Sequence, residues 1–282
     1  MIITVGSLKG SPGATTLALA LADRWPTGSE PLVVEADPAG GDLGARFGLG
    51  AARGLVTLAA AGRRGSGEPR PLSDHSQQLP GGLEVITAPA GAEQARQVLG
   101  ELAGGGWALL WSAARHGDRT VIVDCGRLDP LSPAAPAVRA ADVLLLVVRA
   151  RDDELSQLAA RMQAVRGWQV PDWYVVVAGQ AYRSVDYGVR EITRVLGSRV
   201  LGPLPYDTVA AGVLAGRRHT RHGISRSRLG RTATGLAAYL AGSAAAPAAP
   251  AVPVPVPLPL PLPPVPAPDA GTGWLPTRMG AP

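Results

Sequence analysis

Residues 2–23 read IITVGSLKGSPGATTLALALAD. The first four are all β-branched and predict a strand. The six residues Leu17–Ala22 alternate leucine and alanine and predict a helix. Between them lies a loop of small residues, Gly6 to Thr16, with glycines at positions 6, 10 and 13. A strand that turns through such a loop into a helix start is built to hold phosphate. Small residues let backbone amides approach the anion, and the helix N-terminus adds unsatisfied donors and a partial positive charge. Against the template G-x-x-x-x-G-K-[ST], however, Ala14 stands where the loop lysine belongs. The chain's only lysine, Lys9, lies five residues earlier, although 27 residues are basic. An ammonium is a compact charge on a flexible stem, whereas a guanidinium is a wide fork, so a lone lysine inside this loop points to a requirement there.

Outward from this stretch, short β-branched runs alternate with longer alanine- and leucine-rich ones. Strands are expected at Ile2–Val5, Leu32–Glu35, Leu83–Ile86, Thr120–Asp124, Val143–Val148 and Trp173–Val177. Helices are expected at Thr15–Arg24, Ala92–Ala103, Trp107–Arg115, Asp152–Arg166 and Ser184–Leu196. The strands are apolar along nearly their whole length, as strands covered on both faces are. The fold class expected is α/β, three layers with a mainly parallel central sheet and helices on both faces. Chemistry then belongs at the carboxyl ends of the strands.

Composition bounds the rest. With 282 residues and 46% hydrophobic residues there is material for a substantial core, and one cysteine, Cys125, excludes an internal disulfide scaffold. Cys125 reads as a small buried residue. The amino terminus lacks the apolar run of a signal peptide, so a cytoplasmic protein is expected. Thirteen of the 27 prolines fall after Ser243, which divides the chain into a domain at 1–243 and a proline-rich tail at 244–282. The tail's AVPVPVPLPLPLPPVPAP cannot form a membrane helix, because proline removes the backbone donors. Polyproline II is expected there, either as a solvated tail or as a rod for a proline-binding partner. Charge is uneven as well: residues 217–231 carry Arg217, Arg218, Arg221, Arg226, Arg228 and Arg231 and no acid, while the chain's net charge is only +5. Such a patch draws nucleic acid or an anionic membrane surface, so recruitment to the nucleoid or the inner face of the membrane is expected.

The loop KGSPGATT resembles the deviant Walker A loop of the MinD/ParA superfamily of P-loop ATPases, matching at Lys9, Gly10, Gly13, Thr15 and Thr16. LVVEADPAGGDLGARFGL resembles that family's second-strand motif, and TVIVDCG its Walker B strand. ADVLLLVV, WYVVVAGQ and VLGPLPYD follow in the family's order, so the resemblance spans nearly all of residues 1–243. It implies ATP or ADP with Mg2+ as cofactors. The nucleotide contacts implied are Lys9, Gly10, Ser11, Gly13, Ala14, Thr15, Thr16, Pro205 and Asp207. Thr15 would bind the metal and Asp124 would reach it through water; Asp37 would hold water near the terminal phosphate. Lys9, Asp37 and Asp124 form the implied catalytic set, with Lys9 reaching across a nucleotide-dependent homodimer.

The departures from the pattern carry information. Losing the charge at position 14 removes stabilisation of phosphoryl transfer, on the order of 10²-fold in rate, while the amide cradle still supports binding. Weak or absent turnover is therefore expected. Arg127, Arg149 and Arg151 follow strand ends and are candidates to supply the missing charge. Gln180 stands where the family places an adenine-side asparagine. An eroded loop and a long tail favour a switch of the CpaE/TadZ type, which positions a pilus or secretion machine beside a CpaF-like ATPase. The arginine cluster favours a ParA-like partition ATPase binding DNA nonspecifically. A MinD-like division-site regulator is the third reading.

Overall fold

The computed structural model describes residues 1–64, 71–116, 119–129, 131–179, 187–197 and 199–244. The proline-rich tail beyond Ala244, the site of Gln180 and the expected start of a helix at Ser184 lie outside the described residues.

Eight strands form one sheet: β1 (Ile2–Ser7), β2 (Glu30–Glu35), β3 (Gln77–Gln78), β4 (Glu84–Ile86), β5 (Arg119–Arg127), β6 (Val143–Arg149), β7 (Asp172–Ala178) and β8 (Val200–Leu204). Their order is β3-β4-β2-β5-β1-β6-β7-β8, with every pair parallel except β3 and β4. All six expected strands form, most of them longer at one or both ends. The two that sequence patterning missed are the two edges. Gln77–Gln78 is too short to show a period, and Gly202 and Pro203 interrupt the apolar pattern of β8.

The helices are α1 (Ala14–Asp23), α2 (Leu43–Phe47), α3 (Leu55–Arg63), α4 (Ala92–Glu101), α5 (Gly106–His116), α6 (Ala135–Ala140), α7 (Asp152–Gly167), α8 (Val189–Leu196), α9 (Thr208–Leu214) and α10 (Arg228–Ala244). The expected helix at Ala92–Ala103 ends early. After Glu101 the chain tightens into a short turn at Leu102–Gly104, and Gly105 takes a φ of 124° that only glycine adopts readily.

Two apolar layers flank the sheet, sorted by the two-residue period of the strands. Leu32, Val34, Val121, Val123, Leu144 and Leu146 pack against α3, α4, α5, α6, α7 and α8. Ile3, Val5, Val33, Ile122, Leu145 and Val147 pack against α1, α2, α9 and α10. Helix α1 buries Leu17, Leu19 and Leu21 together with alanines on most sides, because it is held between the sheet and α10. The same parity places Glu35, Asp37 and Asp124 toward the α1 side of the sheet, at its carboxyl edge, where β2 and β5 pair Glu35 with Asp124.

Candidate functional site

A cavity of about 570 Å3 opens at the carboxyl edge between β1, β2 and β5. Ser7, Gly10, Ser11, Gly13, Ala14, Thr15 and Thr16 line one wall. Asp37, Asp42, Arg46, Arg96, Gly126, Arg127 and Asp129 line the other parts.

The loop wall follows from its glycines. Gly10 and Gly13 take φ values of 67° and 106°, and Gly13 leads directly into α1, its carbonyl accepting from the Leu17 N–H at 2.9 Å. Helix α1 starts with no acidic side chain in its first turn and no side-chain cap, so its terminal donors are left for an anion. Thr15 follows and hydrogen-bonds the carboxyl of Asp124.

Three acids are stacked behind the cavity. Asp124 is 1% exposed, and burial pushes its carboxyl up to about 7; hydrogen bonds from Thr15 and the Gly126 N–H at 3.1 Å oppose the rise, and the charges of Glu35 and Asp37 add to it. Burial also raises Asp37, whose Oδ1 accepts from the Ala39 N–H at 2.8 Å. Its carboxyl rests on Gly126, which has a φ of 55°; a Cβ there would collide with both carboxylate oxygens. Glu35 was not singled out from sequence. It is 2% exposed, accepts from the N–H groups of Asp42 (2.6 Å), Leu43 (3.0 Å) and Ala88 (3.0 Å), and is raised by burial. It therefore ties the start of α2 to the end of β4, beside Asp37. A charged residue ending an otherwise apolar strand was the signal that could have found it.

A divalent cation with a nucleotide phosphate fits these donors. Three neighbouring acids share one poorly solvated place, and Thr15 presents a hydroxyl beside Asp124. Among the described residues no group of three or more His, Cys, Asp or Glu side chains has the arrangement of an all-protein metal site. A cation here would be held by Thr15, by water on Asp124 and by the phosphates themselves, as Mg2+ usually is.

Several expected residues are not brought to the cavity. Lys9 turns outward, its Nζ 3.1 Å from Asp153 at the start of α7, and both side chains are exposed. Pro205 and Asp207 do not line it either. Asp207 is a structural cap: Oδ1 accepts from the Ala210 N–H at 2.9 Å, and Oδ2 from the N–H groups of Arg228 (3.1 Å) and Leu229 (3.4 Å). Of the three candidate compensating arginines, Arg127 lines the cavity and Arg149 and Arg151 do not. Arg149 is committed to the buried Glu154. Arg46 and Arg96, which sequence reasoning passed over, do line it. Cys125 is fully buried on the opposite face, and burial holds its thiol well above the usual range.

The six arginines of 217–231 are all exposed, four on the turn-rich segment between α9 and α10 and two in the first turn of α10. No helix among the described residues is long and apolar enough to cross a membrane.

No protein-family sequence model matches the chain, and no curated protein matches it in sequence. Solved structures do match in fold. The ParA family ATPase from Chlorobium tepidum is 18% identical with a TM-score of 0.65, over 85% of this chain and 98% of that one. The septum site-determining protein MinD from Pyrococcus horikoshii, solved with Mg-ADP, is 18% identical with a TM-score of 0.65, over 86% and 97%. An McdA variant from Cyanothece, solved with ATP, is 18% identical with a TM-score of 0.62, over 86% and 96%. The chain thus has the three-layer, mainly parallel P-loop fold of the MinD and ParA ATPases.

Proposed function

We propose that residues 1–243 form a nucleotide-dependent switch that binds Mg-ATP and Mg-ADP at the glycine loop, pairs into a homodimer with bound ATP, and turns nucleotide over slowly or not at all. The observation that carries the reading is the convergence of Gly10, Gly13, Thr15 and Asp37 on one cavity that has Ala14 in the lysine's place, with the buried Asp124 hydrogen-bonded to Thr15. The amide cradle and the acids favour binding; the absent ammonium disfavours the transfer step. Solved neighbours of the same fold hold Mg-ADP or ATP, which supports the choice of ligand. Lys9, held only by an exposed partner, serves the dimer better than its own cavity. Calorimetric titration with both nucleotides and Mg2+, followed by a turnover assay on the same sample, tests the proposal. Binding with turnover near background is expected; no binding at millimolar nucleotide overturns it, and rapid turnover overturns the role given to Ala14.

A second reading concerns what the switch acts on. Six exposed arginines close together in the chain favour nonspecific DNA, as a partition ATPase would require, and a two-fold dimer doubles that patch. The alternative assignment, to a CpaE/TadZ-like positioning protein working with a pilus or secretion ATPase, draws on Ala14 and the tail composition. A MinD-like division role fits the fold equally well. DNA retention that requires ATP and falls steeply with salt selects the partition reading; its absence at low salt rejects it.

A further inference from the structure

The loop wall of the cavity has no cation. Ala14 supplies none, and Lys9 lies outside, paired with Asp153. The rest of the lining has three, delivered by three separate elements: Arg46 from α2, Arg96 from α4 and Arg127 from the end of β5. We propose that these three arginines replace the loop lysine by gripping the third phosphate, and so make the site select a nucleoside triphosphate over a diphosphate. The inference rests on the nucleotide reading above and deepens it.

Placement supports it. Arg127 directly follows Gly126, the residue on which the Asp37 carboxyl rests; its backbone pairs with Ser7 at the foot of the loop, and its side chain lines the cavity, where its charge acts on Asp37. The loop amides would hold the phosphates that a diphosphate and a triphosphate share, and the arginines would hold the third. A guanidinium suits a terminal phosphate, since its fork engages two phosphate oxygens at once, and these three come from three separate elements. Arg96 and Arg127 are exposed and form no ion pair among the described residues. Arg46 pairs with Asp42, an exposed acid four residues earlier on the same turn of chain. A pair of this kind is weak and yields to a phosphate.

The competing cation is Arg149, whose Nη2 lies 2.9 Å from where a Cβ on Gly10 would be. It cannot serve. Its guanidinium and its backbone N–H, the latter at 2.8 Å, both hold Glu154, whose side chain is 1% exposed. Withdrawing Arg149 toward a phosphate would strand a buried carboxylate.

The test is calorimetry of Mg-ATP and Mg-ADP on the full chain carrying Arg46→Gln, Arg96→Gln or Arg127→Gln, and on the triple variant with and without Ala14→Lys. Each single change is expected to weaken ATP roughly tenfold and ADP by less than about threefold. Adding Ala14→Lys should restore ATP affinity in the triple variant and add little to the parent, a coupling that independent sites would not show. Lysine at the same three positions, which keeps charge without the fork, should fall between. Unliganded thermal unfolding checks that each variant is folded, and all three side chains are exposed or half-buried, so none is a core change. A triple variant that keeps the parent's ATP-to-ADP ratio within about twofold overturns the inference and leaves the nucleotide reading intact. A parent that binds neither nucleotide overturns the reading itself.

Discussion

Asp124→Asn should make the nucleotide-free protein more stable while destroying its response to Mg-nucleotide. The carboxyl is fully buried and titrates near 7 instead of near 3.8, chiefly because burial penalises its charge. The native state therefore holds this proton over a range in which the unfolded chain has released it, so stability is full below about pH 4 and is lost as pH rises to about 7. A rise of about three pH units, at about 1.4 kcal/mol for each, places the cost of the ionised form at about 4 kcal/mol above pH 7. The neutral amide avoids that cost. It keeps an acceptor for the Gly126 N–H, and its NH2 can donate to Thr15. Thermal unfolding in the absence of nucleotide should show the variant melting roughly 8–16 °C above the parent at pH 8, at about 2–4 °C per kcal/mol for a domain of this size. The gap should shrink to about half at pH 5.5 and nearly close at pH 4. Mg-ADP at a hundred times its dissociation constant stabilises the parent by about 2.7 kcal/mol; the variant should gain far less. An Asn variant that melts at or below the parent at every pH from 5 to 8 would refute the argument that this acid is kept charged at a cost for the sake of a cation.

Three further outcomes are expected. Gly126→Ala forces a Cβ into the Asp37 carboxylate at a φ of 55°, so it should cost about 1–3 kcal/mol in denaturant unfolding and weaken Mg-nucleotide binding at the same time. Glu35→Ala leaves three N–H groups without their acceptor and should cost about 2–4 kcal/mol, with proteolysis appearing first near α2; Glu35→Gln, which keeps one acceptor and no charge, should cost less. Arg149→Ala strands the buried Glu154 and should cost about 3 kcal/mol in the same unfolding assay, whereas the exposed Lys9→Ala should change stability by under about 0.5 kcal/mol.

The central strands were legible because their burial on both faces demands continuous apolar residues, a pattern short enough to read directly. The site's acids were legible for a related reason: Asp37 and Asp124 terminate such runs, where charge needs a purpose. Glu35 shares that position but was overshadowed, since its role is to receive three amides from segments that meet only in the fold. Arg46 and Arg96 were invisible for a different reason. Each sits on a helix whose pattern marks it as surface, and only the packing of α2 and α4 beside the strand ends turns those two surface positions inward. The direction of Lys9 was not legible, because sequence gives the loop its residues and not the path of one flexible stem, which here finds Asp153 on a helix that begins 143 residues later.

On the proposed reading, binding and turnover separate because their charges belong to different parts of the fold. The acids that call for a cation are fixed in or next to β2 and β5, at the centre of the sheet, where backbone pairing and two apolar layers hold them. Their place is set by the sheet and not by the loop, so their electrostatic demand persists whatever the loop carries. The loop lysine, by contrast, would stand at the first residue of α1, where the alanine present is 7% exposed and packs into the apolar layer on the α1 side of the sheet. Such a charge can be lost without loss of the fold, and the proposed outcome is a site that binds Mg-nucleotide and stabilises phosphoryl transfer poorly. Restoring it tests the separation in one step: Ala14→Lys should raise turnover by about 10²-fold or more while changing nucleotide affinity far less. A variant that binds more tightly with no gain in turnover would place the block elsewhere, in the outward pairing of Lys9 with Asp153.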